Sequence, residues 1–320
     1  MKFFTKLILG AIAAAASGIA VNKAVSEKES NLIEGLYGRY VEVFGKRMCV
    51  EIRGEGRETI VLYPGAGDVS PVLNFRPLAS YLAHYYKVVT VEPFGYGVSD
   101  ETNRERSVEN IAEELHEVMK ALGIDNYVLA AHSMGGAYAL WLMNQYPGEV
   151  KAFVGIDTTV PEAKKYVDDA LVGYAVGTGT RFLNESGINR LLLAFDQERF
   201  LPENENYQYT NAEKKIFNIL ILNRSFTNNM KDELLLSGEN LNKVLTLAIP
   251  DDVPAYQFVS LHNDRLLESF GAPEDTWTHY HEILTNNPKS RLERHAAPHE
   301  LHQKITKEMA INIDEWLRSL

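Results

Sequence analysis

Residues 127–136 read Tyr127-Val128-Leu129-Ala130-Ala131-His132-Ser133-Met134-Gly135-Gly136. Tyr127 to Ala131 is a short apolar run of strand type, and Gly136 to Tyr146 has helical character and stops at Pro147. A serine thus sits at a tight bend between a strand and a helix. A nucleophile on such a bend takes strained dihedrals, and only small residues two before and two after it avoid a clash. Ala131 and Gly135 fill those places. Alanine stands where glycine is usual and adds only a methyl. Small-x-Ser-x-Gly is common by chance, so the flanking strand and helix carry the reading of Ser133 as a nucleophile.

The same alternation extends to both sides. Tyr40 to Phe44 and Met48 to Arg53 are β-rich runs joined by Gly45-Lys46, a hairpin signal. Thr59 to Tyr63, Val88 to Glu92 and Ala152 to Ile156 read as buried strands. Between them the pattern predicts a helix over Phe75 to Tyr85. A second runs from an N-cap at Ser107 to a stop at Gly123, with Val108, Ile111, Ala112, Leu115, Val118, Met119 and Leu122 on one face. Short apolar strands alternating with helices imply a mostly parallel sheet covered on both faces, an α/β protein. The alternation lapses over 161–250, where helical patterns such as Lys214 to Leu222 and Leu234 to Leu247 stand among Asn- and Tyr-rich loops. It resumes with Ala255 to Leu261, Arg291 to Arg294 and a last helix. The expected organisation is a core in two parts, 36–160 and 251–320, with a helical cap over the site at 161–250.

Residues 1–25 stand apart. Lys2 and Lys6 precede an apolar, Ala-rich run from Leu7 to Val21. This reads as a cleaved export signal or a retained membrane anchor, the former favoured because the run is shorter than the roughly 20 residues of a membrane-spanning helix. Either places the body outside the cytoplasm, with possible membrane association through 1–25. The chain has 320 residues, a formal charge of −11 and one cysteine. That charge argues against a nucleic-acid partner, and the lone Cys49 excludes a disulfide within the chain and a Cys-rich zinc site.

With those blocks in view the chain resembles the α/β-hydrolase superfamily, from about Gly38 to the C-terminus. Besides the elbow, the likeness rests on Val61-Leu62-Tyr63-Pro64-Gly65-Ala66-Gly67, on Glu92-Pro93-Phe94-Gly95-Tyr96-Gly97-Val98-Ser99-Asp100 and on Pro298-His299-Glu300-Leu301-His302. The histidine usual in the first block is replaced by Pro64, but the chemistry needs only backbone N–H groups. Ala66 and Met134 are the expected oxyanion donors. The resemblance puts the catalytic histidine at His299, with His302 as an auxiliary or lid contact, and His295 as a nearby competitor. A metal reading of His299 to His302 fails on spacing, because H-E-x-x-H is not matched. Gly95-x-Gly97 lacks the third glycine of a dinucleotide fingerprint, and Glu92 is read as a tie for the loop after it.

Two residues compete as the triad's acid. Asp264 lies near the place used by many relatives, although Ser260-Leu261-His262-Asn263-Asp264 seats it about one residue late. Asp157 follows the strand before the cap, as in a branch that also carries a Trp, a helix and an Asn-rich turn ahead of the histidine. Trp277, His281 to Leu284 and Asn286-Asn287-Pro288 match that branch. Asp157 is preferred. The aromatics Tyr166, Tyr174, Phe182, Phe195, Tyr207 and Tyr209 either line an apolar substrate pocket or bury the cap against the sheet. The expected activity is that of a cofactor-free serine hydrolase with a small ester-like or peptide substrate. The alternatives are an acyltransferase or lyase with the same triad, and a non-catalytic extracytoplasmic binding protein on the same fold.

Overall fold

The structure is a computed structural model that describes residues 18–29, 35, 37–166 and 169–320. Eight strands form one sheet in the order β1-β2-β4-β3-β5-β6-β7-β8. They are β1 (Arg39–Val43), β2 (Lys46–Arg53), β3 (Thr59–Tyr63), β4 (Lys87–Glu92), β5 (Tyr127–His132), β6 (Val150–Ile156), β7 (Ala255–Ser260) and β8 (Arg291–His295). The β1–β2 hairpin and the β2–β4 pair are antiparallel, and every other neighbouring pair is parallel. The central strands are apolar on both faces because helices cover both. Val61, Leu129 and Phe153 point into one core and Ile60, Val128 and Val154 into the other.

Helices α1 (Pro71–Leu82), α2 (Val108–Ala121) and α3 (Gly135–Gln145) alternate with the first strands. The sequence pattern starts α1 late. Its N-terminus is set by Ser70, whose hydroxyl accepts the Leu73 N–H, with Pro71 opening the helix. Proline in the first helical position loses no hydrogen bond there. The inserted block carries α4 (Asp169–Glu185), α5 (Ile188–Phe195), α6 (Asn211–Arg224) and α7 (Asn228–Val244). Both α6 and α7 begin earlier than their apolar patterns. Thr210 and Glu213 form a reciprocal capping box on the first, and Thr227 caps the second. Then come α8 (Leu261–Ser269), α9 (Thr276–Ile283), α10 (Leu301–Lys304) and α11 (Thr306–Leu317).

Residues 1–17 of the expected leader lie outside the described residues. Residues 18–25 belong to a helix spanning 18–29 that is bonded to the cap. Asn22, only 7% exposed, donates to the carbonyls of Asn184 and Glu185. Arg190 donates to Asn22 Oδ1 and Ser26 Oγ and forks onto the Glu29 carboxylate at 2.7 and 2.8 Å. Among the described residues no helix is long and apolar enough to cross a membrane.

Candidate active site

Strand order decides where a site can form. β3 is flanked by β4 on one side and β5 on the other, so the chain reverses its direction of winding there, and the loops after the two strands part to leave a crevice. The loop after β3 is Pro64 to Gly67, and the turn after β5 carries Ser133. Asp157 directly follows β6, and His299 follows β8 at the neighbouring strand ends.

Ser133 has φ = +50° in the left-handed region, a conformation that costs a non-glycine residue energy and needs support from its surroundings. Ser133 N–H donates to Ile156 O, while Ser133 O accepts from the N–H groups of Gly136 and Thr159. The approach of the two loops explains two glycines. A Cβ on Gly65 would stand 2.7 Å from Ser133 Cβ, and one on Gly135 would stand 2.4 Å from Pro64 O. Any side chain there would push the elbow away from the loop after β3.

Asp157 is wholly buried and also has positive φ, +46°. Its carboxylate accepts four hydrogen bonds. Oδ1 takes the Ser260 N–H at 2.9 Å and the Trp277 indole N–H at 2.8 Å. Oδ2 lies 2.6 Å from Asn263 Nδ2 and 2.6 Å from His299 Nδ1. A buried carboxylate is tolerable only when donors saturate it in this way. With Nδ1 committed to the carboxylate, proton transfer at His299 falls to Nε2.

Asp264 is placed elsewhere. Its Oδ1 accepts the Thr278 N–H at 3.0 Å and its Oδ2 the Thr278 hydroxyl at 2.5 Å, so it ties α8 to α9. The residue of its segment that reaches the imidazole is Asn263, 3.2 Å from His299 Nδ1. His295 stacks on Phe258 at the sheet edge. His302 is buried, with its ring centre 4.6 Å from that of Phe75 and 4.8 Å from that of His132. Burial and the nearby His299 push its pKa down to about 3. His132, whose Nε2 lies 3.2 Å from His299 O, is likewise held well below the usual imidazole range by burial. Both rings are therefore held in the neutral form beside His299.

Ser133, His299, Ala66 and Asp68 line one cavity of about 370 Å³, within the usual range for small-molecule sites. Its cap wall is Phe200, Pro202 and Phe217. The six cap aromatics expected from the sequence are not among its lining residues. Tyr174 packs against Phe226, Tyr207 donates to Glu213, Tyr209 donates to Leu73 O, and Phe182 and Phe195 face outward. Periodicity could not locate Phe200, which lies in a loop. Glu92 is fully buried and holds its loop as expected, accepting from the N–H groups of Val98 and Val72 and from the Tyr37 hydroxyl. The loop carrying Ala66 is anchored from the cap: Gly67 N–H donates to Tyr96 Oη, which donates to Glu233 on α7.

Asp68 is a lining residue that sequence reading missed, although it directly follows the quoted Gly67. Burial, with Glu92 and Glu300 nearby, pushes its carboxyl up to about 7, against the hydrogen bonds from Asn74 and the Ser70 N–H. The acid is therefore neutral below that value and negative above it. The KM of a negatively charged ester is expected to rise roughly three- to tenfold between about pH 6 and pH 8. A neutral ester of equal size should show no such rise, and Asp68→Asn should flatten the response. Steady-state kinetics on the matched pair measures this, and equal pH responses for the two esters would refute it.

Trp277 offers a further test. Trp277→Phe removes one of the four donors to Asp157 and is expected to lower kcat roughly tenfold with little change in KM. An unchanged kcat would mean that the indole serves packing alone.

Comparison with known proteins follows the same lines. Residues 58–214 match a family model described as alpha/beta hydrolase fold. The chain is 29% identical over 231 residues to an uncharacterized Bacillus subtilis protein, YbdG, covering 71% of this chain and 69% of that one. It is also 29% identical over 141 residues to a 2-hydroxy-6-oxo-6-(2'-aminophenyl)hexa-2,4-dienoic acid hydrolase of Metapseudomonas resinovorans, covering 42% of this chain and 46% of that protein. Among solved structures, a Vigna radiata epoxide hydrolase mutant superimposes with a TM-score of 0.66 at 15% identity, covering 89% of this chain and 99% of that one.

Proposed function

We propose, from the premise that the chain belongs to the α/β-hydrolase superfamily, that it is a serine hydrolase of ester-like carbonyl compounds working through an acyl-enzyme. Ser133 Oγ attacks the carbonyl carbon as His299 Nε2 takes its proton. The carbonyl oxygen becomes an oxyanion and is held by the N–H groups of Ala66 and Met134, each typically worth about 10²–10³ in rate. Collapse expels the leaving group, which takes the proton back from His299. A water then repeats the attack on the acyl carbon with His299 as base, and the acid is released with Ser133 restored. Asp157 holds the imidazole in the tautomer that presents Nε2 to the serine.

The observation that carries this reading is the 2.6 Å contact of Asp157 with His299 Nδ1, in a cavity that also holds Ser133 on its left-handed turn. Two relatives bear the names of a dienoic acid hydrolase and an epoxide hydrolase. The serine at the elbow favours carbonyl chemistry over epoxide opening. A hydroxyl that opened an epoxide would form an ether, which water cannot resolve under these conditions, whereas an acyl ester turns over. The test is a series of p-nitrophenyl esters of increasing chain length run beside an epoxide such as styrene oxide. Ester turnover with no diol formed supports the proposal, and the reverse pattern would sink it.

A further inference from the structure

The cap helix α7 carries a polar stripe on its buried side. Asn229, Glu233 and Asn240 stand at i, i+4 and i+11, on one face of the helix, and all three are buried. The two asparagines tie α7 to core backbone. Asn229 Oδ1 accepts the Thr102 N–H and its Nδ2 donates to Thr102 O, while Asn240 does the same with the Val108 N–H and Arg106 O. Glu233 between them receives two side-chain hydroxyls. Tyr96 donates to its Oε2 and Tyr138 to its Oε1, both at 2.8 Å.

Each tyrosine leads to one of the two backbone donors assigned to the oxyanion. Tyr96 Oη accepts the Gly67 N–H at 3.1 Å, which fixes the peptide directly after Ala66. Gly67 has φ = +81°, and no atom beyond its chain neighbours lies within 4 Å of where a Cβ would stand. That hydrogen bond, rather than packing, therefore holds its conformation. Tyr138 lies on α3 one turn after Met134, and its ring meets that of Tyr63 edge-on with centres 6.5 Å apart. Tyr63 ends β3, directly before the Pro64 to Gly67 loop. A carboxyl group is a costly filler for the space between two phenols. Burial pushes the pKa of Glu233 up, against the charge of Arg106 and the two hydroxyls. What a carboxylate supplies in return is acceptors alone, so both hydroxyl protons point at it and the lone pairs of Tyr96 Oη are left for Gly67. An amide in its place brings a donor and reverses one arm.

We infer that Glu233 is a positioning residue for the oxyanion site, holding the loop of Ala66 through Tyr96 and the helix of Met134 through Tyr138 from one point on the cap. The assignment rests on the carbonyl chemistry proposed at Ser133, since the two amides matter only where an oxyanion forms. It makes the cap a part of the catalytic geometry as well as a wall of the cavity.

The test compares p-nitrophenyl acetate with p-nitrophenyl thionoacetate, in which sulfur replaces the carbonyl oxygen. Donors placed for an oxyanion fit the larger sulfur poorly, so the ratio of the two kcat values reports on the oxyanion site. Glu233→Gln should lower kcat for the oxo ester roughly tenfold, with KM little changed and the thiono ester within about twofold of the parent. Tyr96→Phe and Tyr138→Phe remove only the hydroxyls. Each should lower the oxo-to-thiono ratio in the same direction, and they carry the test if Glu233→Gln does not fold. An unchanged ratio in the folded variants, whether both rates hold or both fall in proportion, would overturn the inference and leave Glu233 a residue that docks the cap. A folded parent inert on the oxo ester is a different result, since it would sink the chemistry proposed at Ser133 and the inference with it.

Discussion

Ser133→Ala is expected to leave a folded protein whose ester turnover has fallen roughly 10⁴-fold or more and which no longer takes a fluorophosphonate label. The substitution removes one oxygen and leaves the elbow's supports in place, because Ser133 N–H to Ile156 O and Thr159 N–H to Ser133 O are backbone bonds. Circular dichroism melting should therefore match the parent closely. What disappears is the only step that forms a covalent acyl-enzyme. The residual rate would come from the oxyanion donors and from holding the substrate beside them. Labelling that survives the substitution, or activity within tenfold of the parent, would place the nucleophile elsewhere.

The second large effect separates the two acids. Asp157→Asn should lower kcat by about 10⁴. An amide facing Nδ1 cannot stabilise the imidazolium formed in the transition state, and it can turn its NH₂ toward the ring so that the wrong tautomer faces the serine. Asp264→Asn removes no contact with His299. It weakens the bonds from Thr278 that join α8 to α9. The expected result is turnover near that of the parent and a loss of stability of about 1–3 kcal/mol. Both outcomes come from measuring kcat and thermal melting on the same preparations. Loss of turnover in a folded Asp264→Asn protein, with Asp157→Asn active, would reverse the assignment.

Both predictions rest on positions that were legible in the chain to different degrees. Ser133 is readable because its constraint is local. The strand, the bend and the helix are consecutive, and the small residues that permit the bend are its immediate neighbours. The Glu92 tie is only partly local, since Val98 lies in the loop that follows while Val72 and Tyr37 reach it from elsewhere in the chain. Asp157 and Asp264 could only be ranked, since each ends or follows a strand with a carboxylate in an acceptable place. On α8 a step of one residue turns a side chain by about 100° around the helix. The structure brings Asn263 to the imidazole and turns Asp264 into the α8–α9 contact.

The cap shows the opposite limit. Helical periodicity located α6 and α7, while polar caps outside the apolar stripe set their starts. Which aromatics line the cavity was not readable, because both a cavity wall and a packed interior favour the same residue types. Phe200 lies in a loop without period, and Phe182 and Phe195 follow a regular helical pattern yet point away from the sheet.

The linear order of residues by itself determined the α/β class, the serine at the bend and the histidine near the C-terminus, because each is written in neighbours within one or two turns of chain. The tertiary structure alone decided which carboxylate meets that histidine, that Asp68 enters the cavity wall, and that the 18–29 helix is held on the cap by Arg190. These contacts join residues far apart in the chain. Their geometry depends on strand register and helix packing, which local propensity does not encode.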